Sequence, residues 1–250
     1  MAYAVKYRLD FSDVLTYGKR VEILKKDYTG IRNDMIGQAE PVVIKWNAND
    51  DYYNSPIVGS VCSLNLFTTN DVSYDNFYEY DEREYQIKVS YKDSNNDYQT
   101  YWLGYIVVDR HIEEYKSNPV AFTLKAYDGL GTLDNYSTPL YTSPFNENIG
   151  ITNRTRIATI LAHLDLDLNI KVQADITPFF ASTPAYPSRK AVMKSTLINA
   201  GRNELINKFD VPTCKKQLES ILKSYNCRIF QSYGCWYIVE NTNIFDFNVK

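Results

Sequence analysis

The chain is poor in the residues on which most enzyme chemistry depends. Its 250 residues include two histidines, His111 and His163, and neither sits beside a nucleophile motif. No GxSxG, HExxH, kinase or Walker sequence occurs. The single Gly129-Leu130-Gly131 lacks the strand-to-helix GxGxxG frame of a nucleotide site. Acidic residues are plentiful, but the sequence places no pair of them across a cleft. The chain is therefore not expected to be an enzyme, and no catalytic, cofactor-binding or metal-ligating residue is assigned. The four cysteines, Cys62, Cys214, Cys227 and Cys235, lack CxxC spacing, and a zinc set would have to draw on the two histidines. Buried free thiols fit a reducing compartment better than disulfides do. No apolar run reaches the ~18 residues of a membrane helix, so no membrane span is expected. The N-terminus MAYAVKYRLDF alternates instead of forming the apolar core of a signal peptide. The tripeptides Asn135-Tyr136-Ser137 and Asn153-Arg154-Thr155 carry little weight as glycosylation sites without a secretion signal. A net charge of −3 and a pI near 5.5 are the wrong balance for a dedicated nucleic-acid binder.

Tyrosine is what the chain has in excess: 22, against 11 phenylalanines and 3 tryptophans. Many fall in alternating runs, which argues for half-buried sheet faces and for contacts that are apolar on one side and wet on the other. Tyr3, Val5, Tyr7, Leu9 and Phe11 alternate with polar residues and predict a strand, with Lys19–Lys25 as its hairpin partner. Pro41 opens a short strand carrying Val42, Ile44 and Trp46. The loop NANDDYYNSP at 47–56 lacks the register and closing Glu of a calcium loop, so a solvated turn is expected. Strands follow at Gly59–Thr68, Arg83–Lys92, Tyr98–Asp109 and Val120–Ala126. The aromatic stretch around Asn70–Asp81 has no clear period. It reads either as a ring-contacting loop or as a short helix over a barrel end. Roughly seven strands in about 130 residues, with no clear helix, suit a closed barrel or a sandwich.

After residues 133–150, rich in Thr, Ser, Pro and Asn, the pattern changes. Ile157, Ile160, Leu161 and Leu164 recur at helical spacing, with His163 beside that face. Leu168–Val172 reads as a strand, and Asp165 and Asp167 stand at the helix exit. Three prolines break 176–188, and 189–209 is helix-capable. Thr213–Val239 forms a compact unit: a helix capped by Thr213, ended by Asn226, and a hairpin turning at Tyr233-Gly234. A three-residue loop there would pair Gln231 with Cys235 and Cys227 with Val239, keeping the two thiols apart. IFDFNV near the C-terminus is one more strand candidate. The strand count of this half is low for a self-contained barrel.

The segments YAVKYRLDFSDVL, AEPVVIKW, SLNLFTTNDVSYDNFYEYDEREYQIKVSYKD, YWLGYIVVD, LKAYDGLG and LESILKSYNCRIFQSYGCWYIV, in that order from about Tyr3 to Val239, resemble the tail hub proteins of Bacteroidetes phages, crAss-like phages included. The residue pattern gives an α+β, β-dominated fold: an N-terminal antiparallel β-barrel or sandwich at 1–132, a bridging segment at 133–150, and a mixed helix/strand tube-type domain at 151–250, whose sheet is completed by the first half, by a partner or by a further C-terminal region; the resemblance implies two barrel-like domains per subunit, both lining the channel. It implies a structural virion protein of the phage tail, assembled in the bacterial cytoplasm, whose copies form a trimeric or hexameric ring. Other tail proteins would bind the ring, and DNA or ejected proteins would pass through its lumen without specific binding. An acidic wall would repel phosphates and let DNA slide. The interface candidates are Tyr74, Phe77, Tyr78, Tyr80, Leu140, Tyr141 and Phe145; Trp46, Trp102 and Trp236 are expected as core or interface anchors. The alternative reading is a β-rich adhesin or carbohydrate-binding module using exposed Tyr and Trp.

Overall fold

Alternation in the sequence becomes strands wherever one face can be buried. The computed structural model describes residues 2–15, 17–47, 55–78, 81–107, 119–137, 150–173, 197–199 and 212–241. The chain divides into two units. The first comprises 1–47, 59–129 and 231–235; the second comprises 48–58, 130–230 and 236–250. The division near residue 130 lies close to the expected boundary at 132, but each unit also claims a short piece from elsewhere in the chain.

The first unit is one eight-stranded sheet. Its strands are β1 (Tyr3–Ser12), β2 (Gly18–Lys26), β3 (Asn33–Asp34), β4 (Ile36–Asn47), β5 (Gly59–Phe67), β6 (Tyr85–Lys92), β7 (Tyr98–Val107) and β8 (Ala121–Tyr127). Their spatial order is β3-β1-β2-β6-β7-β8-β5-β4. Every ladder is antiparallel except the short parallel pairing of β3 with β1. The sheet wraps a single core that includes Tyr7, Val21, Ile23, Leu64, Leu66, Ile87, Trp102 and Leu124. A closed barrel or a two-sheet sandwich was expected. The structure has instead one sheet whose end strands, β3 and β4, are joined by no ladder. Its two ends are stitched by the chain itself, because β3 pairs with β1 while the start of β4, Ile36–Gly37, pairs with β5. Met35 lies between them with its side chain buried, and its N–H donates to the Arg8 carbonyl at 2.7 Å.

Strand β4 begins five residues before Pro41. Proline cannot donate to a ladder, but it is tolerated on an end strand and at a bulge. Both conditions hold: the β4–β5 register shifts between Gly37 and Val42. Gln38 occupies the gap, its amide donating to the Leu66 carbonyl at 3.0 Å and to that of Phe122 at 3.4 Å.

Another glutamine repairs a second gap. β8 pairs with β7 only over Tyr105–Val107, because the chain leaves the sheet after Tyr127. The earlier half of β7 is met by residues 231–235, the tip of a C-terminal hairpin. The fully buried Gln231 side chain accepts from the Leu103 N–H and donates to the Leu103 carbonyl, both at 2.8 Å. Its carboxamide thus presents one acceptor and one donor, as a paired strand residue would. Gly234 N–H donates to the Tyr101 carbonyl at 3.0 Å, and the Trp46 indole N–H donates to the Gln231 carbonyl at 2.9 Å. Gly234 has φ +61°, and a β-carbon there would stand 2.7 Å from the Thr100 carbonyl oxygen. Glycine meets both demands.

The second unit carries β9 (Gly150–Thr152), α1 (Asn153–Ala162), β10 (Asn169–Gln173), β11 (Leu197–Asn199), α2 (Cys214–Ser224), β12 (Cys227–Ser232) and β13 (Cys235–Glu240). The strands form a three-stranded sheet, β10-β13-β12, and the pair β11-β9. Leu197–Asn199 is therefore extended within a stretch expected to be helix-capable, and the rest of 189–209 lies outside the described residues. So do the proline-broken segment, most of 133–150, most of the loop at 47–56, and the IFDFNV strand candidate. Thr213 caps α2 by accepting from the Lys216 N–H at 3.3 Å, and Asn226 takes φ 50° after the helix. Asp165, also left-handed at φ 53°, turns the chain out of α1. The β12–β13 turn has two residues, not three: Tyr233 and Gly234 both have positive φ, and Asn241 N–H reaches the Asn226 carbonyl. That register sets Cys227 opposite Glu240.

Two predictions follow from these contacts. Gln231→Leu keeps the volume but leaves the Leu103 donor and acceptor without partners, costing about 1–3 kcal/mol. Urea unfolding should show the loss, and hydrogen exchange should speed at the Leu103 amide. The second concerns Asp134, whose carboxylate accepts from Lys215 Nζ at 2.6 Å and from the Thr213 hydroxyl at 3.1 Å. The Lys215 bond, then the Thr213 hydroxyl, hold its pKa below the ordinary 3.8. A depressed carboxylate stabilises above the unfolded-state pKa, and that contribution disappears as pH falls through the lower folded-state value. Asp134→Asn should therefore be modestly less stable than the native chain at pH 7 and no less stable at pH 2.

Candidate functional site

The strongest polar constellation in the first unit is buried. Asp128 accepts from both the N–H and the hydroxyl of Ser60, at 2.6 and 2.7 Å, and Ser60 Oγ accepts from the Trp102 indole at 2.8 Å. Ser60, Trp102 and Asp128 are each at most 2% exposed. A serine beside a carboxylate resembles part of a hydrolytic triad, but this hydroxyl is sealed from solvent. The group satisfies the indole N–H of a core tryptophan. It fixes the β5 start against the β8 end. Among the described residues, no group of three His, Cys, Asp or Glu side chains is arranged to hold a metal ion.

The cysteines are Cys62, Cys214, Cys227 and Cys235. All four are free and buried. Burial alone pushes Cys62 up to about 12, and burial with Glu240 nearby does the same for Cys227. Neither forms the reactive thiolate near neutral pH. His163 stacks on Tyr136 with ring centroids 5.0 Å apart, a packing role within the second unit. His111 lies outside the described residues.

The expected interface residues divide. Tyr74 and Phe77 belong to a single 3₁₀ turn, Tyr74–Phe77, and both are core residues, 8% and 1% exposed. Phe77 packs edge-on to Tyr85 and tilted against Tyr7, and Tyr74 packs edge-on to Phe122. These two are thus unavailable to a neighbour, and the stretch is the short helix over the sheet rather than a free loop. Tyr78 is 64% exposed and remains available. Tyr80, Leu140, Tyr141 and Phe145 lie outside the described residues. Trp102 and Trp236 are fully buried anchors, one in each unit, whereas Trp46 is 37% exposed.

Among the described residues, the two end strands of the sheet leave backbone edges without a full partner strand. Among the same residues, β1 pairs on its outer side with β3 at Tyr7 and Arg8. β4 has no partner strand on its outer side among the described residues. Its later half, Val42–Trp46, reads VVIKW. Val42 and Ile44 pack against the core, so Val43 and Lys45 point to the other face. Sequence reading identified this strand but not its position at the end of the sheet, which depends on long-range pairing.

Thiol accessibility gives the test of this static interior. At pH 8 iodoacetamide should leave Cys62 and Cys227 unmodified in the native protein and label them fully once urea unfolds it.

No protein-family model matches the chain, and a search of curated proteins finds no protein similar to it.

Proposed function

We propose that the protein is a structural subunit of a phage tail hub, a ring that lines or closes the tail channel and anchors distal tail components. The observation that carries this reading is the unblunted end of the first unit's sheet. Free strand edges template pairing with other chains, and proteins that stay single protect them with charge, proline or bulges. In β4 the bulge and Pro41 protect the earlier half, while Val42–Trp46 carries one charged residue. A ring of copies buries such an edge at every junction, because head-to-tail contacts close when the rotation per subunit divides the circle. The sequence resemblance to tail hub proteins gives the same reading from a separate direction. The modest net charge of −3 suits a wall past which DNA slides without sticking.

Native mass spectrometry with negative-stain microscopy tests the reading. The expected particle is a closed trimer or hexamer with a central hole. Val43→Glu places a carboxylate beside the free edge and should convert rings to folded monomers with unchanged circular dichroism. A compact monomer, both alone and after co-expression with tail proteins, would remove the hub reading.

A further inference from the structure

The turn Tyr233-Gly234 contains a choice that local stability does not favour. Both central residues have positive φ, 44° and 61°, the geometry in which Asn, Asp and Gly are preferred at the first position. A tyrosine there is strained by its β-carbon. Its ring is nevertheless 55% exposed, so burial does not account for it. Such strain is informative when it holds a side chain in one place. Here it holds the Tyr233 ring edge-on to Tyr101 at 5.1 Å and 79°, and to Tyr91 at 5.8 Å and 87°. Tyr91 and Tyr101 are themselves perpendicular, 6.3 Å apart. Three rings at right angles form a rigid mount, with Tyr233 as its outermost member. Polar groups border it: Ser232 hydrogen-bonds the Tyr101 hydroxyl, and Lys19, ion-paired with Asp13 at 3.5 Å, lies 5.9 Å from the Tyr91 centroid. The exposed Trp46 indole is tied to the Gln231 carbonyl at the foot of the same turn.

We propose that Tyr233, mounted on Tyr91 and Tyr101, is a stacking platform for a pyranose ring of a neutral glycan. A rigid exposed ring bordered by hydrogen-bonding groups offers a sugar both an apolar face and polar partners. A stacked nucleobase fits less well. Its phosphates need cations, and the neighbouring Lys19 is already paired with Asp13. The site lies wholly within the first unit.

Strain and binding give the test opposite signs. In Tyr233→Asn the turn gains its preferred residue while the platform disappears. Saturation-transfer NMR on the full chain would use methyl β-glucopyranoside, methyl β-galactopyranoside and N-acetylglucosamine, with adenosine monophosphate as the stacking control. The native chain should saturate the ring protons of at least one sugar. Tyr233→Asn should melt higher and bind that sugar about tenfold more weakly, the size of one lost ring contact. Three outcomes overturn the proposal: no sugar saturated by the native chain, sugar binding unchanged in Tyr233→Asn, or saturation of the nucleotide alone. A lower melting temperature in Tyr233→Asn would also overturn it, because the ring would then be explained by packing.

Discussion

The Gln231 carboxamide is the contact on which the first unit's sheet depends. A strand that loses its neighbour halfway leaves backbone donors and acceptors facing an apolar interior, each costing about 1–3 kcal/mol if unpaired. β7 is in that position before Tyr105. One side chain supplies both missing partners to Leu103, and the following turn supplies Gly234 N–H to Tyr101. Gln38 supplies donors at the bulge of β4, to the carbonyls of Leu66 and Phe122. At Leu103 the Gln231 carboxamide stands in for a peptide group, which it matches in having one donor side and one acceptor side. The sheet can then curl and fray without leaving polar atoms unpaired.

The tyrosines show a related economy of polar ends. Tyr7, Tyr74 and Tyr85 place their rings in the core, and the Tyr85 hydroxyl donates to the Asn76 carbonyl at 2.9 Å while accepting from Lys6 Nζ at 3.1 Å. Lys6 in turn lies near three rings, Tyr7, Tyr28 and Tyr85, at 5.0 to 5.9 Å. The hydrogen bonds and ring charges overcome the larger opposing effect of burial and raise its pKa. Tyrosine suits a thin curled sheet because its ring fills the interior while its hydroxyl reaches the rim.

These features also divide what the sequence makes legible from what it hides. Strands β1, β2, β5, β6, β7 and β8 were readable because each alternates with period two against one buried face, and α2 because Leu218, Ile221 and Leu222 follow the helical period behind a capping Thr213. Those signals are local. Pro41 misled at β4, since proline marks a break unless the strand is at the end of a sheet, and position in a sheet is a long-range property. Tyr74 and Phe77 hid because their three-residue spacing belongs to a single 3₁₀ turn, too short to display a period. Gln231 read only as a hairpin residue opposite Cys235. Its partner, Leu103, is 128 residues away, and the only local hint was a glutamine two residues before a Tyr-Gly turn.

That separation bears on how the molecule forms. Local hairpins such as β1–β2 and β6–β7 close small loops and need little ordering of the rest of the chain. The patch on β7 cannot be satisfied until residues 231–235 exist. During synthesis the Tyr101 and Leu103 backbone therefore waits for its partners through the interval between Tyr127 and Gln231. Exposed edges in that interval favour pairing with another chain. A sheet edge satisfied by a turn 128 residues downstream is also one open to misassembly before that turn is made. The strained Tyr233 and the close approach of Gly234 to Thr100 make that turn narrow in shape, so few other segments would fit in its place.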